Sequence, residues 1–371
     1  MRYRKRFSTL LAAAGAALCL ALPAATAQAK LPPNFFGIDS VHEPPANEFA
    51  LMANTGAEVF RAPISWRLVE QTAPVRVLGQ EIHDYDWTAT DRIMRRASEF
   101  GISIHAGLID TPAWVAKDAR TSPVRTQEGA EGWSDFVAAA VARYGRGGSF
   151  WTENPQLPEN PPIAYQIWNE QNTDGRYLPK PNPREYAELF TRAGAAIRAA
   201  EPGAQILPGG MFGTPQTEFS IDAWDFLRIM MAQPGVAQYV DAVGVHPYSP
   251  DLRGVRYQLK IMRKQLDKLG HDEIPLQVTE LGWSSGLGKD RFFFFKGPKG
   301  QARMLRKSFG LIIDKRRQWN IQRAMWFSWR DVPKGEQPGC VFCGRFGLLK
   351  QDLTRKPAYH EYRKLALGDG G

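Results

Sequence analysis

Two acidic residues stand where apolar runs end. Glu170 closes Tyr165-Gln166-Ile167-Trp168-Asn169-Glu170 and is followed by the amides Gln171 and Asn172, while Glu280 closes Val278-Thr279-Glu280 ahead of Leu281-Gly282-Trp283. Core strands seldom finish on a carboxylate, because a buried ion without a partner is costly. Two such groups held across one acetal can break it: a protonated carboxyl gives its proton to the departing oxygen, and a carboxylate acts from the opposite face of the ring. The apolar wall before Glu170 and the second carboxylate opposite are both expected to raise its pKa. Arg61 and Tyr248 could support charge on Glu280. Once Glu280 is esterified its charge disappears, and Glu170 could then serve as base towards water. Plainer readings stand beside these. Glu170 could cap the helix that follows, Glu280 could be a structural ion-pair partner, and Arg61 could simply satisfy Asp39.

The elements that must position these groups can be read from periodicity. Apolar, β-branched or aromatic runs of strand length fall at 34–39, 58–65, 102–109, 163–170, 206–213, 242–249, 275–283 and 324–331. They show little alternation, as expected of strands covered on both faces. Helical patterns separate them. Trp133, Phe136, Val137, Ala140, Val141 and Tyr144 share one stripe before Gly145. Asn182 and Pro183 form a cap and first turn ahead of Tyr186, Leu189, Phe190, Ala193 and Ile197. Further helices are expected over 86–101, 222–232, 252–269, 299–318 and 357–367. About eight strand–helix repeats predict an α/β fold, a single (β/α)8 TIM barrel. A doubly wound sheet would carry a phosphate-binding glycine turn after its first strand, and Asn34-Phe35-Phe36-Gly37-Ile38-Asp39-Ser40 has none. In a barrel the chemistry collects at the C-terminal strand ends. That rule selects Arg61, Trp66, His105, Asp110, Trp114, Asn169, Glu170, His246, Tyr248, Glu280, Trp283, Trp326, Trp329 and Asp331.

The stretches Ile167-Trp168-Asn169-Glu170-Gln171-Asn172 and Val278-Thr279-Glu280-Leu281-Gly282-Trp283 resemble the acid/base and nucleophile signatures of the clan A retaining glycoside hydrolases. With His246-Pro247-Tyr248 and Trp326-Phe327-Ser328-Trp329-Arg330-Asp331, the chain is most similar to family 39 and related bacterial exopolysaccharide-cleaving hydrolases. The resemblance spans residues 30–371, the expected catalytic domain. It implies Glu170 as acid/base, Glu280 as nucleophile, and Asn169 as donor to the sugar 2-hydroxyl. It further implies that Arg61 and Tyr248 orient Glu280, and that Trp329 is the floor on which the sugar stacks. His246 is read as substrate-binding, with a buried core histidine as the alternative. Gln171 departs from the family, in which proline is common there. No cofactor and no metal are implied. The substrate implied is a polysaccharide or oligosaccharide with O-glycosidic, β-configured bonds. A barrel that binds glycan without cleaving it, or a transglycosylase using the same glutamates, would share these motifs.

The rest of the composition is consistent with an exported protein. Residues 1–29 hold Arg2, Arg4, Lys5 and Arg6, a short apolar run Leu10–Leu22, and Ala27-Gln28-Ala29. These are the three parts of a secretory signal peptide, and the apolar run is too short to span a bilayer. Removing its four basic residues lowers the formal charge from +9 to +5. That mild excess suits acidic glycans or anionic surfaces, whereas no basic run interleaved with aromatics suggests nucleic acid. The expected location is secreted, either extracellular or periplasmic and cell-wall associated, with no stable membrane insertion and a monomeric state. Cys340 and Cys343 lack the further ligands of a zinc site, and in an exported chain a disulfide between them is expected. The aromatic run Phe292–Phe295, between basic residues, could form a platform for further sugar units or pack inward.

Overall fold

A computed structural model of the chain describes residues 31–215, 217–287, 294–333, 336 and 343–368. Nine parallel strands among them form one nearly closed barrel. They are β1 (Phe36–Asp39), β2 (Val59–Ser65), β3 (Ser103–Ile109), β4 (Ala164–Ile167), β5 (Ile206–Pro208), β6 (Met211–Phe212), β7 (Val243–His246), β8 (Leu276–Val278) and β9 (Ile321–Phe327). Neighbours run β5-β4-β3-β2-β1-β9-β8-β7-β6. The ends of that series, β5 and β6, are two halves of one continuous segment parted by Gly209 and Gly210, so eight strand positions complete the circuit. A short hairpin, 75–77 with 80–82, stands apart from the barrel sheet.

Helices alternate with the strands: α1 (Ala46–Ala53), α2 (Thr88–Glu99), α3 (Gln127–Tyr144), α4 (Pro183–Ala200), α5 (Ala223–Met231), α6 (Leu252–Lys268), α7 (Gly297–Lys315) and α8 (Pro357–Leu367). Their starts follow local chemistry. Asn182 Oδ1 accepts from the amides of Arg184 and Glu185, Asp251 caps α6 in the same way, and Thr126 accepts from Gly129. Each cap satisfies amides that the first turn leaves without partners. The stripe expected on α3 is buried along its whole length. At roughly 1.5–3 kcal/mol for each large apolar side chain withdrawn from water, such stripes hold the helices on the barrel.

The TIM-barrel expectation agrees with this architecture, and the departures from it lie at strand ends. The fourth strand leaves the ladder at Ile167, ahead of Glu170, and the seventh expected strand ends at Val278, ahead of Glu280. The fifth breaks at its glycine pair. Each early exit lets a polar side chain turn over the barrel mouth. Residues 1–30, Cys340 and the side chain of Cys343 lie outside the described residues, as do all of 288–293, Phe292 and Phe293 of the aromatic run among them. The signal peptide and the Cys340–Cys343 disulfide therefore remain expectations. No helix among the described residues is long and apolar enough to cross a membrane.

Candidate active site

The register of the barrel explains the first contact. Asp39 at the end of β1 lies opposite Arg61 on β2, and their side chains meet in the barrel mouth. Arg61 Nη1 donates to Asp39 and, at 2.6 Å, to Glu280 Oε1, while Nη2 donates to Asn169 Oδ1 at 2.7 Å. Arg61 thus contacts Asp39 and Glu280 at once. Burial raises the Asp39 carboxyl to about 6; Arg61 opposes that rise and the nearby Glu280 adds to it. Tyr248 donates to Glu280 Oε2 at 3.1 Å. Burial, together with the Glu280 and Glu170 charges, pushes the Tyr248 phenol well above its ordinary value, so it remains a donor. Both oxygens of Glu280 are thereby fixed. Because Asn169 Oδ1 is occupied by Arg61, its amide nitrogen is the atom that faces outward to donate.

Glu170 is aimed by backbone geometry. Trp168 and Glu170 both adopt left-handed φ, +70° and +49°, a conformation costing on the order of 1–3 kcal/mol per residue. The chain is held there by Glu170 N donating to Gly210 O at 3.0 Å and by Trp168 N donating to Leu108 O at 2.8 Å. His246 Nδ1 lies 3.0 Å from Glu170 Oε1, and its Nε2 lies 3.5 Å from Glu280 Oε1. One oxygen from each glutamate and one His246 nitrogen all fall within 4.8 Å of one another. Retaining double displacement uses a carboxyl separation of about 5–5.5 Å, whereas inversion needs about 6.5–9.5 Å to admit a water. The nearest oxygens of the two glutamates are no more than 4.8 Å apart.

Asn169, Glu170, Arg61, Tyr248, Glu280 and Asp39 line one cavity of about 760 Å³, whose apolar wall includes Phe212, Phe294, Phe327 and Phe346. Two substrate-contact expectations need correcting. Trp329 is fully buried, and its Nε1 donates to Glu48 Oε2 at 2.8 Å. It faces the interior beneath α1, so the aromatic wall comes from those phenylalanines instead. His246 is also fully buried, behind the glutamates. Its two ring nitrogens face the two carboxylates, and it is not among the residues lining the cavity. Gly210 makes room for it, because a Cβ there would lie 2.0 Å from His246 Nε2, while a Cβ at Gly209 would instead meet Gln171 Oε1 at 2.2 Å.

A third correction concerns charge. Burial pushes the Glu170 carboxyl up, as expected from its apolar surroundings. The hydrogen bond and charge of His246, aided by Arg176 and Arg61, outweigh it and hold the group below its ordinary value.

The remaining strand-end residues serve the scaffold. Trp66 donates to Glu70, Trp283 to Ser249 O, and Trp326 to Phe346 O. His105 meets Gln277 inside the barrel, Asp110 accepts from Ser65, and Asp331 pairs with Lys356. Trp114 packs edge-on against Trp66. Gln171, at the position where the family commonly has proline, is buried and donates to Gly209 O at 3.0 Å, tying the fourth strand to the glycine break. Arg176, whose Nε lies 3.5 Å from Glu170 Oε2, was not anticipated; its exposed loop position gave no periodic signal.

Solved structures share this architecture. A family 39 glycoside hydrolase from Bacteroides cellulosilyticus WH2 superposes with a TM-score of 0.62 at 20% identity, over 90% of this chain and 63% of that one. A monomeric β-xylosidase from Caulobacter crescentus CB15 gives 0.62 at 20% identity, over 90% and 67%. A GH5_18 protein from Streptomyces cattleya, solved with Manβ1-4GlcNAc, gives 0.62 at 15% identity, over 91% and 81%. This chain has the fold of the clan A glycoside hydrolases. It spans less than two thirds of the length of the first of these neighbours. No protein-family model and no curated protein matches the sequence.

Proposed function

We propose that the chain is an exported retaining glycoside hydrolase that cleaves β-configured O-glycosidic bonds in a polysaccharide or oligosaccharide by double displacement. The observation carrying this reading is the convergence of Glu170 and Glu280, with oxygens within 4.8 Å in one cavity. Glu280 attacks the anomeric carbon while Glu170 gives its proton to the departing oxygen. The C–O bond to the leaving sugar breaks as the ester to Glu280 forms. Water, deprotonated by Glu170, then attacks the same carbon and releases Glu280. Asn169 donates to the sugar 2-hydroxyl, an interaction that strengthens in the transition state. Arg61 and Tyr248 hold the nucleophile at its angle through both steps, and their fixed donors need no reorganisation as charge moves. A sugar in place of water as acceptor would give transglycosylation by the same residues.

A glycan panel tested with wild type and Glu280→Gln examines the assignment. Wild type releases reducing ends from at least one member, and the variant falls by on the order of 10³-fold or more while remaining folded. Glu280→Ala regains turnover with azide and yields the glycosyl azide of inverted configuration. Full activity in Glu280→Gln rejects the nucleophile.

A further inference from the structure

One contact in the site conflicts with its chemistry. A proton donor should be spared a cation, yet Arg176 Nε lies 3.5 Å from Glu170 Oε2. Since Glu170 Oε1 is taken by His246, Oε2 is the oxygen that faces the bond to be cleaved. Arg176 is held in place. Its amide donates to Thr173 O at 3.1 Å, its carbonyl accepts from Trp168 Nε1 at 2.9 Å, and Thr173 N in turn donates to Glu170 O at 2.9 Å. The Arg176 side chain is 43% exposed, and the residue lines the cavity. The neighbouring charges are already matched. Arg120 grips Asp118 through Nε and Nη2, at 2.9 and 2.7 Å, and the Asp174 carboxylate accepts from Thr217 and Ser220. Among the described residues, the carboxylate nearest Arg176 is the one on the presumptive acid. A guanidinium in that state is a receptor for a planar anion, which it binds through two parallel hydrogen bonds.

We propose that the leaving-group side of the site takes a sugar bearing a carboxylate, held by Arg176, so that the substrate is an acidic, uronate-containing glycan. This rests on the reading of Glu170 as the acid, which puts the departing sugar on its side of the bond. The substrate carboxylate draws the guanidinium's charge away from Glu170 Oε2. A neutral sugar would leave Arg176 against the acid, stabilising the form that cannot donate. Binding and proton donation are thereby coupled, and acidic leaving sugars are favoured twice. An adjoining hollow that shares Val332 with the catalytic cavity carries Arg345, Lys350, Arg355 and Lys356 against Asp331 and Asp352. The same sign of charge therefore continues along a path that an extended polyanion could follow.

Calorimetric titration of the full-length Glu280→Gln protein tests the proposal with three β-linked tetrasaccharides, of hyaluronan, β-1,4-glucuronan and oligomannuronate. Each is paired with its carboxyl-reduced form. At least one acidic tetrasaccharide should bind about tenfold or more tightly than its reduced counterpart, a preference that weakens with salt and collapses in Arg176→Gln/Glu280→Gln. Arg176→Lys restores part of it, keeping the charge without the fork. Equal affinity of the two forms, no binding of any acidic member, or a preference that survives loss of Arg176 overturns the proposal. Wild-type hydrolysis of neutral aryl glycosides reports separately on the hydrolase reading. Turnover without charge preference defeats this proposal alone, and charge-selective binding without any turnover defeats the hydrolase reading alone.

Discussion

Trp329→Phe separates a scaffold tryptophan from a sugar platform. The indole nitrogen donates to Glu48 Oε2 at 2.8 Å, and Glu48 is only 1% exposed. Phenylalanine keeps most of the ring but removes the donor. Glu48 is left with Arg330, 3.1 Å away, as its remaining polar contact named in this region. Losing a hydrogen bond to a charged buried group, with some cavity left behind, costs about 2–4 kcal/mol. An unfolding entropy of about 2.1 cal/mol/K per residue, over roughly 340 residues, converts that loss to a fall in Tm of about 3–6 °C. Scanning calorimetry reads the fall, and initial rates on the best substrate of the glycan panel read function. The fully buried ring predicts KM and kcat within about twofold of wild type, after correction for folded fraction. A several-fold rise in KM with Tm unchanged would refute the placement and return Trp329 to the sugar-binding surface.

Two further outcomes follow from the same geometry. Gly210→Ala puts a methyl carbon 2.0 Å from His246 Nε2 and 2.4 Å from Thr279 Oγ1. The imidazole must move, so kcat should fall at least about tenfold with an overpacking cost of about 1–3 kcal/mol, whereas Gly203→Ala, with no atom within 4 Å, should do neither. Steady-state kinetics and thermal melts on both variants read this, and an active, unshifted Gly210→Ala would sink the positioning role of His246. Asp39→Asn tests the buried acid, whose folded pKa is raised from 3.8 to about 6. Between those values the native state binds the extra proton, so this group's contribution to stability is present at low pH and lost as pH rises. Urea unfolding across pH 4 to 6 (about the span of the shift) should show the stability of wild type relative to Asp39→Asn falling with rising pH; a rising difference contradicts the assignment.

Much of the barrel was legible because strands covered on both faces must be apolar, and helix starts such as Asn182-Pro183 carry their own signal. Glu170 and Glu280 stood out for the opposite reason: each is a charge at the end of an apolar run. The roles of their partners depended on distances along other chain segments. Nothing local to His246 says that it is sealed behind two carboxylates, since the space it fills is bounded by the glycine at 210. Trp329 sits in a motif that suggests a platform, but the path of the chain after β9 turns its ring towards Glu48. The charge on Glu170 was misjudged because burial is visible as an apolar run, whereas His246, Arg176 and Arg61 reach it only in the folded barrel. Asp39 was legible only as one of two possible partners for Arg61, which in fact holds both it and Glu280.

The gap between β5 and β6 makes a functional part out of missing atoms. Because one imidazole fills that space and lies against both Glu170 and Glu280, a mutation that crowds it disturbs the two carboxylates together, even with each glutamate intact. The proposed hydrolysis would therefore be lost from a descendant of this chain whose two acids and barrel were all preserved. Recognising such a silent lectin would require inspecting residue 210 before the glutamates themselves.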